Sequence, residues 1–198
     1  MTPAIVLAAG ASTRMGRPKA LLEAGERTFI RTILHALRDA GVPEAVVVVR
    51  AGQPLVIQEI EGSGFGRALV NPRADEGQLS SLLTGLDAID RPGVEAALVT
   101  LVDVPLIGAP AIRALLARAA RSGAPILRAV HGGRHGHPVI FTRRLFDALR
   151  AADPRVGAKA VVRAAGVEDV EVDDAGVVED VDTPADYARL FGRIVPGC

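Results

Sequence analysis

The sequence predicts an α/β fold built on a mostly parallel, mixed sheet, and three observations carry that prediction. Short apolar runs rich in β-branched residues recur along the chain, helical apolar spacing fills the intervals between them, and glycines punctuate the helix ends. Continuous apolar runs suit strands covered on both faces. Alternation of such strands with helices gives right-handed crossovers and an open sheet whose ligands sit at the carboxyl ends of the strands.

The strand candidates are Ala4 to Ala8, Ala45 to Val49, Ala68 to Val70, Ala96 to Val102, Ile126 to Val130 and Val139 to Phe141. Phe29, Ile30, Ile33, Leu34 and Leu37 share one helical face, with Gly41 as C-cap. Ile112, Leu115, Leu116 and Ala119 repeat the pattern and end near Gly123. Beyond Val167 the pattern shortens and turns acidic. Val170 and Val172 alternate, a turn falls at Asp174 to Gly176, and an antiparallel edge followed by a closing helix is expected.

Length and composition fit a single domain over residues 1–198, with 49% hydrophobic residues to fill its core. The 23 Lys and Arg balance the 23 Asp and Glu, so no net field draws the chain to nucleic acid or to an anionic membrane. Neither partner is expected. One cysteine, Cys198, excludes an internal disulfide and a cysteine-built metal site, which fits the cytoplasm. The apolar stretch Ala4 to Ala9 is too short, and lacks the basic flank, for a signal peptide or a membrane span.

The first strand runs into Leu7-Ala8-Ala9-Gly10-Ala11-Ser12-Thr13-Arg14-Met15-Gly16-Arg17-Pro18-Lys19. Small residues let backbone N–H groups close around a polyphosphate, and Arg14 and Lys19 neutralise its charge. Neither the Walker spacing nor the G-x-G-x-x-G fingerprint is met. Arg50 to Pro54 also lacks the ribose-binding acid that a dinucleotide-dependent oxidoreductase needs after its second strand. The competing reading of the segment is a plain strand-to-helix turn with solvated basic residues.

The segment resembles the signature L-A-A-G-x-S-x-R-M-G-x-P-K of the MobA-like NTP transferases, and most closely that of the molybdenum cofactor cytidylyltransferases. The resemblance implies a Rossmann-like three-layer sandwich of the nucleotide-diphospho-sugar transferase type. It implies that Gly10, Ser12, Arg14, Gly16 and Lys19, with Leu7, Ala8 and Ala9, wrap the nucleotide. Relatives that use GTP carry glycine where this chain has Ala9, and a methyl group in a close-packed base pocket disfavours a purine, so CTP is favoured.

Ala97 to Val102 ends in Asp103 and then Val104-Pro105, which places a carboxylate where the sheet meets its ligand. Asp103 is the first candidate ligand for magnesium, with a surface-turn aspartate as the competing reading. In Asp180-Val181-Asp182-Thr183-Pro184-Ala185-Asp186, Thr183, Pro184 and Asp186 are explained by helix capping. Asp182 is not. The resemblance places an aspartate there near the metal, and a solvated loop acid is the alternative.

Asn71, Gln78 and Ser81 lie in a stretch that borders base and ribose in the family, and their amides and hydroxyls suit the edge of a pyrimidine. Ser80 in the same stretch has the residue type of an N-cap. His131, His135 and His137 invite a zinc reading, but the glycine-rich turn among them fixes no common face. His137, in Gly136-His137-Pro138, matches a G-H-P motif of the family and is the candidate acceptor contact. Lys159, after Gly157-Ala158, is the second, with an exposed helix start as the bland alternative.

The reaction implied is transfer of CMP from CTP, or of another nucleotide from its NTP, to the terminal phosphate of a molybdopterin-type cofactor. Lys19, Arg14 and Asp103 would carry the chemistry. A molybdoenzyme maturation partner would receive the product. A sugar-1-phosphate nucleotidylyltransferase and a noncatalytic NTP-binding regulator are the alternatives.

Overall fold

The structure is a computed structural model that describes residues 1–193 and Val195; the lone cysteine, Cys198, lies outside the described residues. In chain order the strands and helices are β1 (Ala4–Ala8), β2 (Glu23–Ala24), β3 (Arg27–Thr28), α1 (Phe29–Asp39), β4 (Ala45–Arg50), α2 (Pro54–Glu61), β5 (Gly66–Asn71) and α3 (Gln78–Ile89). They continue with β6 (Ala96–Leu101), α4 (Ala109–Ala119), β7 (Ile126–His131), β8 (Arg134–Thr142), α5 (Phe146–Arg150), α6 (Lys159–Ala165), β9 (Glu168–Glu171) and α7 (Pro184–Phe191). Seven strands form one sheet in the order β5-β4-β1-β6-β8-β7-β9, and β2 and β3 form a separate short hairpin. Pairings are parallel except those of β8 with β6 and with β7.

Period-two alternation explains the layers. Ala4, Val6 and Ala8 of β1, with Ala45, Val47 and Val49 of β4, join a core cluster covered by α1, α2, α4 and α7, while Ile5, Leu7, Val46 and Val48 face α3, α5 and α6. Each fully buried aliphatic side chain in these two cores contributes about 1.5–3 kcal/mol relative to exposure, which is why such runs end in central strands. Helix α3 lies close on the sheet because Gly85 has no side chain; a Cβ there would stand 2.5 Å from Ile5 Cγ2.

The tail of the chain departs from expectation. Strand β9 pairs parallel with β7 (Leu127 with Glu168, Val130 with Glu171), so the edge after Val167 is parallel and not antiparallel. Helix α6 precedes β9 and supplies the crossover that parallel pairing requires. The antiparallel element is instead the long β8, which returns directly from β7 through the Gly132-Gly133 turn. Val70 is 46% exposed, because β5 is an edge strand and not a doubly covered one.

The last helix is fixed at both ends. Thr183 and Asp186 complete a capping box, as the spacing predicts. Tyr187 is fully buried against Phe29 and Phe191, and its hydroxyl donates to the Glu23 carbonyl oxygen at 3.0 Å. That anchoring sets the position of the segment just before α7, which bears Asp182.

Candidate active site

Beyond β1 the chain makes a tight turn, with Ser12 at φ 50° and Gly16 at φ 65° either side of a 3-10 turn over Thr13–Met15. A non-glycine residue in the left-handed region costs on the order of 1 kcal/mol or more and marks a loop held for a purpose. The Ser12 hydroxyl accepts from the Lys19 amide at 3.2 Å and so ties the turn to the segment behind it. Gly10 has open space around its Cα and an unexceptional φ, so neither packing nor backbone geometry demands glycine there.

Lys19 is the centre of the site. It is only 9% exposed, and its Nζ donates to Asp182 Oδ1 at 2.6 Å and to Asp103 Oδ2 at 3.2 Å. Arg14 reaches the second Asp182 oxygen at 3.4 Å. The Lys19 ammonium, and then the charges of Lys19 and Arg14, hold the Asp182 carboxyl below its ordinary value against the opposing effect of partial burial. Both carboxylates therefore accompany two cations.

This balance matters for polyphosphate. Lys19 and Arg14 are offset by Asp103 and Asp182, so the side chains alone leave a triphosphate's charge unmatched. Asp103 Oδ1 is enclosed without a hydrogen-bond partner, and an oxygen of this kind is what a hard divalent cation takes as a ligand. Asp103 and Asp182 are the two carboxylates that would offer oxygens to such an ion, and among the described residues no third His, Cys, Asp or Glu joins them.

These groups line a cavity of about 390 Å³ at the carboxyl ends of β1, β4 and β6, together with Leu7, Ala9, Gly10, Ser12, Gln78 and Ser81. Three sequence candidates stand behind it. Ala8 packs into the core, and Gly16 shapes the turn. Asn71 is buried, its amide donating to Ser80 Oγ and Ser81 Oγ at 2.9 and 3.0 Å while its Oδ1 accepts from the Arg73 amide. Asn71 thus holds the α3 entry in place and has no free edge for a base. Ser80 lies inside α3 and donates back to the Gly77 carbonyl oxygen; Gly77, not Ser80, is the N-cap.

A second cavity, about 500 Å³, shares Leu7, Gln78 and Leu101 with the first and extends toward β8 and α6. His137 and Lys159 both line it, as do Arg128 and Arg155. His137 Nδ1 is enclosed without a partner, and burial holds the ring's pKa below its ordinary value despite Asp103 and Asp180 nearby. The three clustered histidines do not converge. His131 bonds the Val172 carbonyl oxygen and His135 pairs with Asp169, and among the described residues no group of side chains suits a zinc ion.

Sequence reasoning missed Arg50, which ends β4 and lines the first cavity. The rule that found Asp103, a charged residue at the carboxyl end of an apolar strand, applies equally to it.

A small-residue loop and a lysine bridging two carboxylates stand at the carboxyl edge of the sheet, with a second cavity adjoining them along its face, and the family match identifies the fold and site as those of a nucleotidyltransferase. The pattern of the MobA-like NTP transferase domain matches residues 4–171, and the chain belongs to that family. A probable molybdenum cofactor guanylyltransferase of Mycobacterium avium is 28% identical over 191 residues, spanning 94% of this chain and 93% of its own. A phosphoenolpyruvate guanylyltransferase of Sphaerobacter thermophilus is 31% identical over 210 residues, spanning 99% and 95%. Among solved structures, Rv0371C of Mycobacterium tuberculosis, crystallised in complex with manganese, superposes with a TM-score of 0.77 at 25% identity, covering 98% of this chain and 99% of that one. No described helix is long and apolar enough to cross a membrane.

Proposed function

We propose that this single domain, acting in the cytoplasm with magnesium, transfers CMP from CTP to the terminal phosphate of a molybdopterin-type cofactor and releases pyrophosphate. The observation that carries the transfer reaction is Lys19, held between Asp103 and Asp182 at the mouth of the phosphate loop. The molybdopterin acceptor is supported by the name of the Mycobacterium avium relative. The choice of CTP rests on Ala9, a lining residue of the cavity, because a methyl group in a close-packed base pocket would disfavour a purine.

The mechanism needs no general base, because a phosphate nucleophile is already anionic near neutral pH. Catalysis then comes from in-line placement and from charge neutralisation. Backbone N–H groups of the loop from Gly10 to Met15 hold the β- and γ-phosphates, and Lys19 and Arg14 stabilise charge on the transferring phosphoryl group and the leaving pyrophosphate. Held by Asp103 and Asp182, the divalent ion would polarise phosphate oxygens. The acceptor occupies the second cavity, where His137 and Lys159 meet it and Gln78 stands at the junction with the nucleotide. A maturation partner would then take the product.

A second reading is supported by the relatives, since both are guanylyltransferases. One assay separates the possibilities: pyrophosphate release with magnesium and each of CTP, GTP, ATP and UTP, with and without molybdopterin-type cofactor. Release that requires CTP and the cofactor is expected. Release with GTP alone among the nucleotides moves the base assignment, and turnover only with phosphoenolpyruvate or a sugar phosphate moves the acceptor. Nucleotide binding without any turnover makes the chain a regulator.

A further inference from the structure

One charged side chain of the first cavity is used neither by the phosphate loop nor by the carboxylates. Arg50 closes β4, which lies between β5 and β1, so it stands across the loop from β6 and Asp103. Its guanidinium donates to Asp75 Oδ1 at 2.8 Å, and its Nε is enclosed with no partner. That single bond is the only one its side chain makes among the described residues.

Asp75 sits in the 3-10 turn Ala74–Glu76, and Ala74 and Gly77 either side of it line the same cavity as Arg50. The turn is a fixed platform. Asn71 braces both its entry, through the Arg73 amide, and the start of α3, through Ser80 and Ser81. Arg50 is therefore a positively charged, donor-only fork held on one side and open on the other.

The order of strands says what the open side meets, given the nucleotidyltransferase reading above. With phosphates on the loop after β1 and their charge balanced at β6, the nucleoside end falls toward β4 and β5. A guanidinium has donors only, so it matches a base edge that presents a carbonyl oxygen beside a ring-nitrogen acceptor. Cytosine and guanine have such an edge; adenine sets an amino donor beside its ring nitrogens.

We propose that Arg50 is a specificity-determining residue of the nucleotide site, donating to a carbonyl oxygen of the base and so discriminating against adenine, with Asp75 holding its guanidinium in place. The test measures dissociation constants of the four NTPs, without acceptor, by displacement of a fluorescent nucleotide from wild type, Arg50→Met, Arg50→Lys and Asp75→Asn. Wild type is expected to bind CTP and GTP at least about tenfold more tightly than ATP, the scale on which an unmatched hydrogen-bonding site rejects a substrate. Arg50→Met should weaken CTP and GTP but not ATP, bringing the two purine nucleotides within about threefold of each other and lowering the CTP:ATP ratio to whatever Ala9 alone sets. Arg50→Lys, which keeps charge and stem, restores part of the preference, and Asp75→Asn lowers it without abolishing it.

An equal loss for all four nucleotides in Arg50→Met overturns the proposal, because it assigns Arg50 to phosphate or to the fold, and so does an unchanged CTP:ATP ratio. Arg50→Lys carries the same decision should the methionine variant fail to fold. Failure of the transferase reading shows separately, as wild type that discriminates among nucleotides yet does not turn over. Wild type that binds no nucleotide overturns both.

Discussion

The backbone amide of Val181 donates to the carbonyl oxygen of Asp103 at 2.8 Å. This bond joins the loop after β6 to the loop before α7 and sets Asp182 beside Asp103 through the main chain. The two carboxylates consequently meet at Lys19 on a backbone frame, so neutralising one of them leaves the other in place. Their separate contributions can be measured.

Asp103→Asn and Asp182→Asn are each expected to fold and to lose turnover, by about a hundredfold or more. The apparent affinity for magnesium should fall in both, with a deeper loss in Asp103→Asn, whose Oδ1 is the enclosed and unpartnered oxygen. Titration of activity against metal concentration checks this. Unchanged metal dependence in both variants would remove the carboxylates from the metal site.

Lys19→Met removes the cation that both carboxylates face while keeping most of the aliphatic stem. Turnover should fall by about a thousandfold, the scale seen when a fixed group that meets developing charge is lost. The variant also leaves Asp103 and Asp182 without their shared counter-ion, so the Asp182 carboxyl loses the largest influence holding its pKa down. Nucleotide titration beside single-turnover kinetics separates loss of binding from loss of chemistry.

How much of this was legible in the sequence follows from which features are local. The small-residue loop after β1, Asp103 at its strand end and the Thr183 capping box are each encoded within a few consecutive residues, and all stand where the sequence places them. The placement of Asp182 in the same site as Asp103 was legible only through the family resemblance, and its bond to Lys19 not at all. The direction of β9 was misread because Val170 and Val172 alternate identically in parallel and antiparallel edges. Asn71 looked like a base reader because its residue type carries free amide groups; its two serine partners lie a helix turn into α3 and consume them. Arg50 needed the strand order, which no single segment contains.

Thr183→Ala should destabilise the protein by about 1 kcal/mol through loss of the cap. The consequence extends to the site, because the Asp186 carboxylate also accepts from the Asp182 amide at 3.2 Å. Hydrogen bonds from Thr183 hold the Asp186 carboxyl below its ordinary value. The sign follows: this contribution is present above the unfolded carboxylate's value and is lost as pH falls through the lower folded one. Asp186→Asn should accordingly show a smaller loss of melting temperature on acidification than wild type.

His137 has the opposite chemistry and the same direction with pH. Burial disfavours its charged form, so the unfolded chain takes up a proton near the ordinary 6.5 while the folded protein resists it. Folded stability is fully present above that value and falls as pH drops below it. Melting temperatures recorded from about pH 7.5 down to about pH 5.5 should decline in wild type and decline less in His137→Gln. Equal slopes would mean that the ring is solvated and that its lowered pKa has no energetic counterpart.

Gly10→Ala separates what the fold needs from what the ligand needs. No atom lies within 4 Å of the added methyl, and the backbone there is not in the left-handed region, so the folded protein accommodates alanine without strain. Melting temperature should stay the same or rise slightly, since replacing a glycine at a compatible position narrows the unfolded ensemble by about 0.4–1 kcal/mol. If phosphates close against this face of the loop as proposed, the methyl would stand in their way and nucleotide affinity should fall by about tenfold or more. Calorimetric unfolding and nucleotide titration on the same preparation decide the matter. A variant that melts as wild type and binds CTP as wild type would show that phosphates do not approach Gly10, and the polyphosphate would then have to lie nearer Thr13 and Arg14.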